Sequence, residues 1–111
     1  METLFTKIIE RKIPAKIAYE DDAYIAIYDI NPQAPVHLLV ITKRVIPTLN
    51  DVKPEDAELV GGLFRVAAKL MKDAGYTDYR TVFNCGKQAQ QTVLHLHLHV
   101  LAGRDFTWPP G

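Results

Sequence analysis

From Leu94 to Leu101 the chain reads LHLHLHVL, and this alternation constrains the fold more than any other stretch. Successive side chains of a β-strand point to opposite faces, so a period of two sorts residues onto two surfaces. A strand through "TVLHLHLHVLAG" puts Leu94, Leu96, Leu98 and Val100 on one face and Val93, His95, His97, His99 and Leu101 on the other. The leucine face belongs under a helix. The histidine face has to look toward a cleft or a partner, because each buried imidazole needs partners for both ring nitrogens.

The other segments supply a sheet and helices for that strand. In "TLFTKIIERKIPA", Leu4, Phe5, Ile8 and Ile9 recur at helical spacing, with Thr3 as a cap and Pro14 as a stop, which predicts a short helix over 3–11. "KIAYEDDAYIAIYDI" predicts two strands around the turn Glu20-Asp21-Asp22, and the two prolines of "NPQAP" make a loop. "VHLLVITK" is nearly all apolar and reads as a central strand covered on both faces. "PEDAELVGGLFRVAAKLMKDAG" predicts the one long helix, with Pro54 in its first turn, Glu55 and Asp56 complementing the dipole and Gly75 as its stop. The pair Gly61-Gly62 costs about 1 kcal/mol per residue relative to alanine, which calls for close packing of this helix on a neighbour. "YRTVFN" adds another strand, and "RDFTWPPG" is an extended tail over 103–111. Five mostly hairpin-connected strands with two helices make a single α+β domain spanning 1–111.

Composition excludes several classes. A chain of 111 residues buries a core without staples, and a net charge of zero gives no bulk attraction to nucleic acid or to an anionic membrane. Phosphate recognition therefore has to come from a local site. The lone Cys85 cannot form an internal disulfide and reads as a small residue at a strand end. Neither a secretory leader nor an apolar run near the ~20 residues of a membrane span is visible, so a cytoplasmic location is the default expectation.

Three histidines on one face admit three readings. A single histidine in a strand is ordinarily a satisfied structural residue, but three would form a network with a purpose. Zinc is the second reading, yet residues i and i+4 of a strand lie about 13 Å apart, and no further Cys, His or Asp cluster completes a tetrahedron. The third is catalysis at phosphorus. Neutral imidazole is a competent nucleophile near pH 7, a neighbouring one donates a proton or a hydrogen bond, and a third sets the tautomer. The fourth histidine, His37, stands on the predicted central strand as an outer member of such a relay.

The row His95-Leu-His97-Leu-His99-Val-Leu resembles the motif of the histidine triad (HIT) superfamily. With "FTKIIERKIPAKIAYEDD", "DINPQAP", "HLLVITK" and "FTWPPG", the whole chain is similar to its nucleotide-binding branch (HINT). That resemblance implies a five-stranded antiparallel sheet with two helices, and a homodimer joined through a ten-stranded sheet. It implies hydrolysis of purine nucleoside phosphoramidates and acyl adenylates through a nucleotidyl-histidine, releasing AMP or GMP without metal or cofactor. By motif position His97 matches the nucleophile, His99 the phosphoryl-binding residue, and His95 and His37 the groups that orient His97 and hold its proton.

For the nucleotide, the resemblance assigns the ribose hydroxyls to Asp29, with Ile30 beside it, and the base to Leu4, Phe5, Ile27 and Leu39. Spacing alone makes Asp29 a turn cap and the four apolar residues core. Asn84, Gln91 and Thr92 match positions near phosphate and leaving group, and Trp108 either docks the tail or reaches the other subunit's site. Two departures stand out: "KQAQQT" replaces a glycine-rich loop, and "KRVI" lacks a histidine found in some relatives. The rival functions are a nucleotide-responsive interaction protein with an unidentified protein partner, and a dinucleoside polyphosphate hydrolase. A neutral nucleophile working beside a charged donor predicts a bell-shaped rate profile around neutrality.

Overall fold

The computed structural model describes all of residues 1–111. Helix α1 (Leu4–Ile9) is followed by strands β1 (Ile17–Glu20), β2 (Tyr24–Tyr28) and β3 (Val36–Thr42). Helix α2 (Ala57–Asp73) comes next, then β4 (Tyr79–Val82) and β5 (His97–Ala102). The strands form one sheet in the order β1-β2-β3-β5-β4, antiparallel throughout. Each local choice has a visible cause. Thr3 caps α1 by accepting from the Thr6 amide, and Asp21 closes the β1–β2 turn by accepting from the amides of Ala23 and Tyr24. Gly75 leaves α2 at φ +85°, a conformation glycine adopts without strain.

The two faces of the sheet are buried separately. Leu38 and Val40 of β3, with Leu98, Val100 and Ala102 of β5, pack beneath Leu63, Val66, Ala67 and Met71 of α2. Ile25, Ile27, Leu39 and Ile41 pack on the opposite face against Phe5 and Ile8 of α1. Strand β3 is therefore covered on both sides, and the leucine face of β5 lies under the long helix, as its sequence requires.

Three boundaries differ from the sequence reading. The short helix is one turn and a half rather than the whole of 3–11, because the chain turns at Arg11, whose φ is +64°. Residues Pro54–Asp56 form a 3-10 turn, and α2 proper begins at Ala57. Strand β5 begins at His97, not near Val93. Residues 93–96 bend away from the sheet, the Leu96 amide donates to the carbonyl of Ile46, and Leu94 is left 55% exposed instead of joining the core.

The glycine pair of α2 has an unequal explanation. Gly62 is buried against the Tyr24 phenol, whose hydroxyl donates to the Leu59 carbonyl at 2.7 Å, and a methyl group there would collide with that ring. Gly61 faces open space. Gly62→Ala is thus expected to destabilise by about 1–3 kcal/mol, the cost of overpacking. Gly61→Ala is expected to stabilise by up to ~1 kcal/mol through helix propensity. Urea denaturation of the two variants checks the contrast, and equal effects would remove the close-approach explanation.

Candidate active site

The pairing of β3 with β5 assembles the histidines. His97 lies opposite Ile41, His99 opposite Leu39, and His37 opposite Leu101. His37 and His99 are therefore diagonal neighbours on the α1 face, within reach of each other's rings. The His97 and His99 ring centroids are 5.2 Å apart, as are those of His37 and His99. Phe5 of α1 stands edge-on to His97 at 5.0 Å and to His95 at 5.6 Å.

Backbone groups fix which nitrogen carries the proton in His37, His95 and His97, and His37 fixes it in His99. The Gln33 amide donates to His37 Nδ1 at 3.0 Å, so the proton of neutral His37 sits on Nε2. That Nε2–H faces His99 Nδ1 at 2.9 Å and Asp29 Oδ2 at 3.4 Å. His99 Nδ1 is then an acceptor, and its own proton sits on Nε2. His97 runs the other way. Its Nδ1 lies 2.7 Å from the His95 carbonyl, which can only accept, so Nδ1 is protonated and Nε2 carries the lone pair. Neither Nε2, of His97 or of His99, has a partner within the protein, and neither is sealed from solvent. The site thus presents a nucleophilic nitrogen and, on the adjacent ring, a hydrogen-bond donor.

His95 joins this set differently from the sequence expectation. Its ring is fully buried, with Nε2 at 2.6 Å from the Thr42 carbonyl and Nδ1 at 2.8 Å from Thr3 Oγ1. It orients His97 through its backbone carbonyl, not through its imidazole.

A 170 Å³ slot opens beside the histidines, lined by Leu4, Phe5, Ile27, Asp29, Ile30 and Leu39 together with Ile8, Ile13, Pro14, Ala15 and Tyr28. All six residues assigned to base and ribose by resemblance meet in this one cavity. The other five escaped the sequence reading because they look like ordinary core and loop. The volume is below the roughly 300–1,000 Å³ of a site for a drug-sized ligand. Ile30 is 100% exposed at the rim. Asp29 caps the turn, its Oδ1 accepting from the Asn31 amide at 2.8 Å, while Oδ2 faces His37.

The loop before β5 corrects two expectations. The Gln91 side chain is buried and fully used: its oxygen accepts from the Gly86 amide, and its nitrogen donates to the carbonyls of Pro47 and Val93. It pins the loop, leaving no amide group free for phosphate. The missing glycines do not prevent the tight turn, because Gln90 itself adopts the left-handed conformation at φ +68°. Thr92 is exposed and Asn84 half-buried after β4. Trp108 is 82% exposed and docks nothing on its own chain; Phe106, flanked by the guanidinium groups of Arg80 and Arg104, holds the tail instead.

The largest cleft lies elsewhere. It measures 720 Å³ between Arg44 and Asp56, away from the histidines and the slot, and its buried Asp56 is already bound by Arg44 and the Lys53 amide. Asp29, His37 and His99 hold their ligand atoms within 4.8 Å of one another, a spacing a metal would accept. The donor set does not fit one. With Gln33 donating to Nδ1, a metal at His37 Nε2 requires either an imidazolate or the loss of that bond.

Burial pushes all four histidines below their ordinary pKa. For His97 desolvation dominates, opposed by the bond to the His95 carbonyl and by Asp29; for His95 desolvation again leads. His99 is pushed down to about 4 by desolvation and by its neighbours His97 and His37. His37 is lowered by desolvation against the pull of Asp29. These shifts favour the neutral form of all four rings near pH 7.

Comparison with known proteins gives the chain and its fold a known setting. A family model described as "Scavenger mRNA decapping enzyme C-term binding" matches residues 2–107. An uncharacterised HIT-like protein of Synechocystis is 52% identical over 99% of this chain and 97% of its own length. A HIT family hydrolase from Legionella pneumophila superposes with a TM-score of 0.96 at 46% identity, covering 99% of this chain and 100% of that one. A HIT family hydrolase from Clostridium thermocellum gives a TM-score of 0.91 at 42% identity, covering 96% and 94%.

The depressed histidines also set how stability responds to acid. The unfolded chain takes up protons near the ordinary value of 6.5, whereas folded His99 resists until about 4. This contribution is fully present above pH 6.5 and is lost progressively as pH falls toward 4. Urea midpoints are expected to fall between about pH 6.5 and 5, a range where carboxylates stay ionised. His99→Asn should flatten part of that slope; an unchanged slope would mean that the imidazoles are not held neutral.

Proposed function

We propose that this chain, a member of the HIT family, hydrolyses purine nucleoside phosphoramidates, and related acyl adenylates, through a nucleotidyl-His97 intermediate. The observation that carries the reading is the opposed pair of open nitrogens, a lone pair on His97 Nε2 beside a proton on His99 Nε2, next to an apolar slot that ends at a carboxylate. The base enters the slot between α1 and the sheet, and Asp29 accepts from the ribose hydroxyls. His97 Nε2 attacks phosphorus while His99 donates to a phosphoryl oxygen, where negative charge grows. The phosphoramidate nitrogen takes a proton from solvent as the P–N bond breaks and leaves as a neutral amine. His97 is then cationic, and its Nδ1–H still donates to the His95 carbonyl. Water attacks phosphorus, the P–Nε2 bond breaks, the proton shed by water passes to solvent, and the nucleoside monophosphate departs.

A homodimer belongs to the same proposal. Strand β4 is an edge of the sheet, Tyr79 on it is exposed, and the exposed Phe64 of α2 stacks edge-on against Phe83. An unpaired edge beside aromatic surface calls for a cover. A second copy pairing β4 with β4 supplies it and extends the sheet to ten strands. Sedimentation velocity should find a dimer, and Phe64→Lys should shift it to monomer; a wild-type monomer at micromolar concentration would remove this part.

Release of AMP from an adenosine phosphoramidate tests the chemistry. Wild type should turn over in chelator, and His97→Ala should lose at least roughly a thousandfold while keeping its fold. Diadenosine polyphosphate, assayed alongside, should react far more slowly. Because protonation of the row removes the lone pair of His97 and loss of the proton supplied to the leaving nitrogen slows the alkaline side, kcat/KM should fall on both sides of neutrality. Equal rates in wild type and His97→Ala would end the proposal.

A further inference from the structure

We infer that Thr3 is a positioning residue of this active site, whose single hydroxyl donates to His95, in the neutral Nε2–H tautomer that the Thr42 carbonyl selects, and ties helix α1 to the catalytic row. The inference rests on the role proposed above for His97, but its structural part stands on the geometry of His95 alone.

The hydroxyl sits between two demands that agree. Thr3 Oγ1 accepts from the Thr6 amide at 3.1 Å, the N-cap bond of α1. It also lies 2.8 Å from His95 Nδ1. On its other side His95 Nε2 lies 2.6 Å from the Thr42 carbonyl, which can only accept, so Nε2 carries the proton. Nδ1 of neutral His95 is then an acceptor, and Thr3 Oγ1 must donate to it. The hydroxyl donates once and accepts once, and no group in this chain is asked for a proton it lacks.

This bond matters because of what His95 carries on its backbone. The His95 carbonyl accepts from His97 Nδ1, which fixes the lone pair on His97 Nε2. His95 lies outside β5, in the bend that precedes it, so no ladder pairing holds that carbonyl in place. The ring, clamped between Thr3 and Thr42, takes over that duty. Thr3 also sets the start of α1, which carries Leu4 and Phe5 into the base slot. One hydroxyl thereby registers the slot wall against the nucleophile.

Substitutions at position 3 separate capping from positioning. Serine keeps both functions. Aspartate caps a helix at least as well as threonine, but an ionised carboxylate only accepts. Thr3→Asp therefore keeps α1 and reverses the bond to His95, which must now donate from both nitrogens and become an imidazolium. Valine removes cap and bond together. Imidazole ¹⁵N chemical shifts report the protonation of His95, and AMP release from an adenosine phosphoramidate reports turnover.

The expected result for wild type and Thr3→Ser is an Nε2–H His95 that does not titrate near neutrality. Thr3→Asp should show a cationic His95 at pH 7, an unfolding midpoint close to that of Thr3→Ser, and a fall in kcat of roughly ten- to a hundredfold with a smaller change in KM. A Thr3→Asp variant whose His95 shifts and kcat match those of Thr3→Ser would overturn the inference. If wild type fails to release AMP, the proposed function falls, while the ¹⁵N shifts of the same variants still decide whether Thr3 donates to His95.

Discussion

Imidazole can exchange donor and acceptor between its two nitrogens; a backbone amide or carbonyl cannot, and the site depends on that difference. Three backbone groups, the Gln33 amide and the Thr42 and His95 carbonyls, each touch one histidine ring and permit one tautomer only. The consequence propagates: Gln33 fixes His37, His37 fixes His99, and the His95 carbonyl fixes His97 in the opposite sense. Without these anchors a row of neutral imidazoles has many nearly equal arrangements. With them, the two nitrogens that reach the cleft differ in kind.

Burial makes the arrangement durable. The same desolvation that lowers the histidine pKa values keeps the rings neutral, and only neutral rings satisfy this pattern of donors and acceptors. The sheet provides that burial through its central strand. Because β3 is covered by α2 on one face and α1 on the other, its pairing with β5 is flanked by packed side chains, and the histidines of β5 lie at the edge of that cover. The fold and the chemistry therefore use the same pair of strands.

Much of this was legible because periodicity and turn chemistry are local. The alternation of Leu96, Leu98 and Val100 with His97 and His99 fixes two faces, and Thr3, Asp21 and Gly75 sit where capping and turn rules place them. What stayed hidden depends on partners distant in sequence. His95 keeps the alternating pattern but leaves the strand, since Ile46 draws the Leu96 amide away. Gln91 reads as a polar loop residue, and only its bonds to Gly86, Pro47 and Val93 reveal a pin. Asp29 reads from its spacing as a turn cap, which its Oδ1 is, and only the fold brings its Oδ2 to His37. The family motif indicated which residues gather, but not that His95 would act through its carbonyl.

Helix α1 shows how closely binding and chemistry are joined. Six residues are too few to hold a helix in water. The helix persists because Phe5 and Ile8 are buried against β2 and β3 and because Thr3 caps it. Phe5, however, is also a wall of the slot and the edge-on neighbour of His95 and His97. A group that fills the slot therefore presses on the residue that flanks the nucleophile, and disorder in the row would in turn loosen the slot. Ordering on either side stabilises the other, so a small helix without independent stability is well suited to join them.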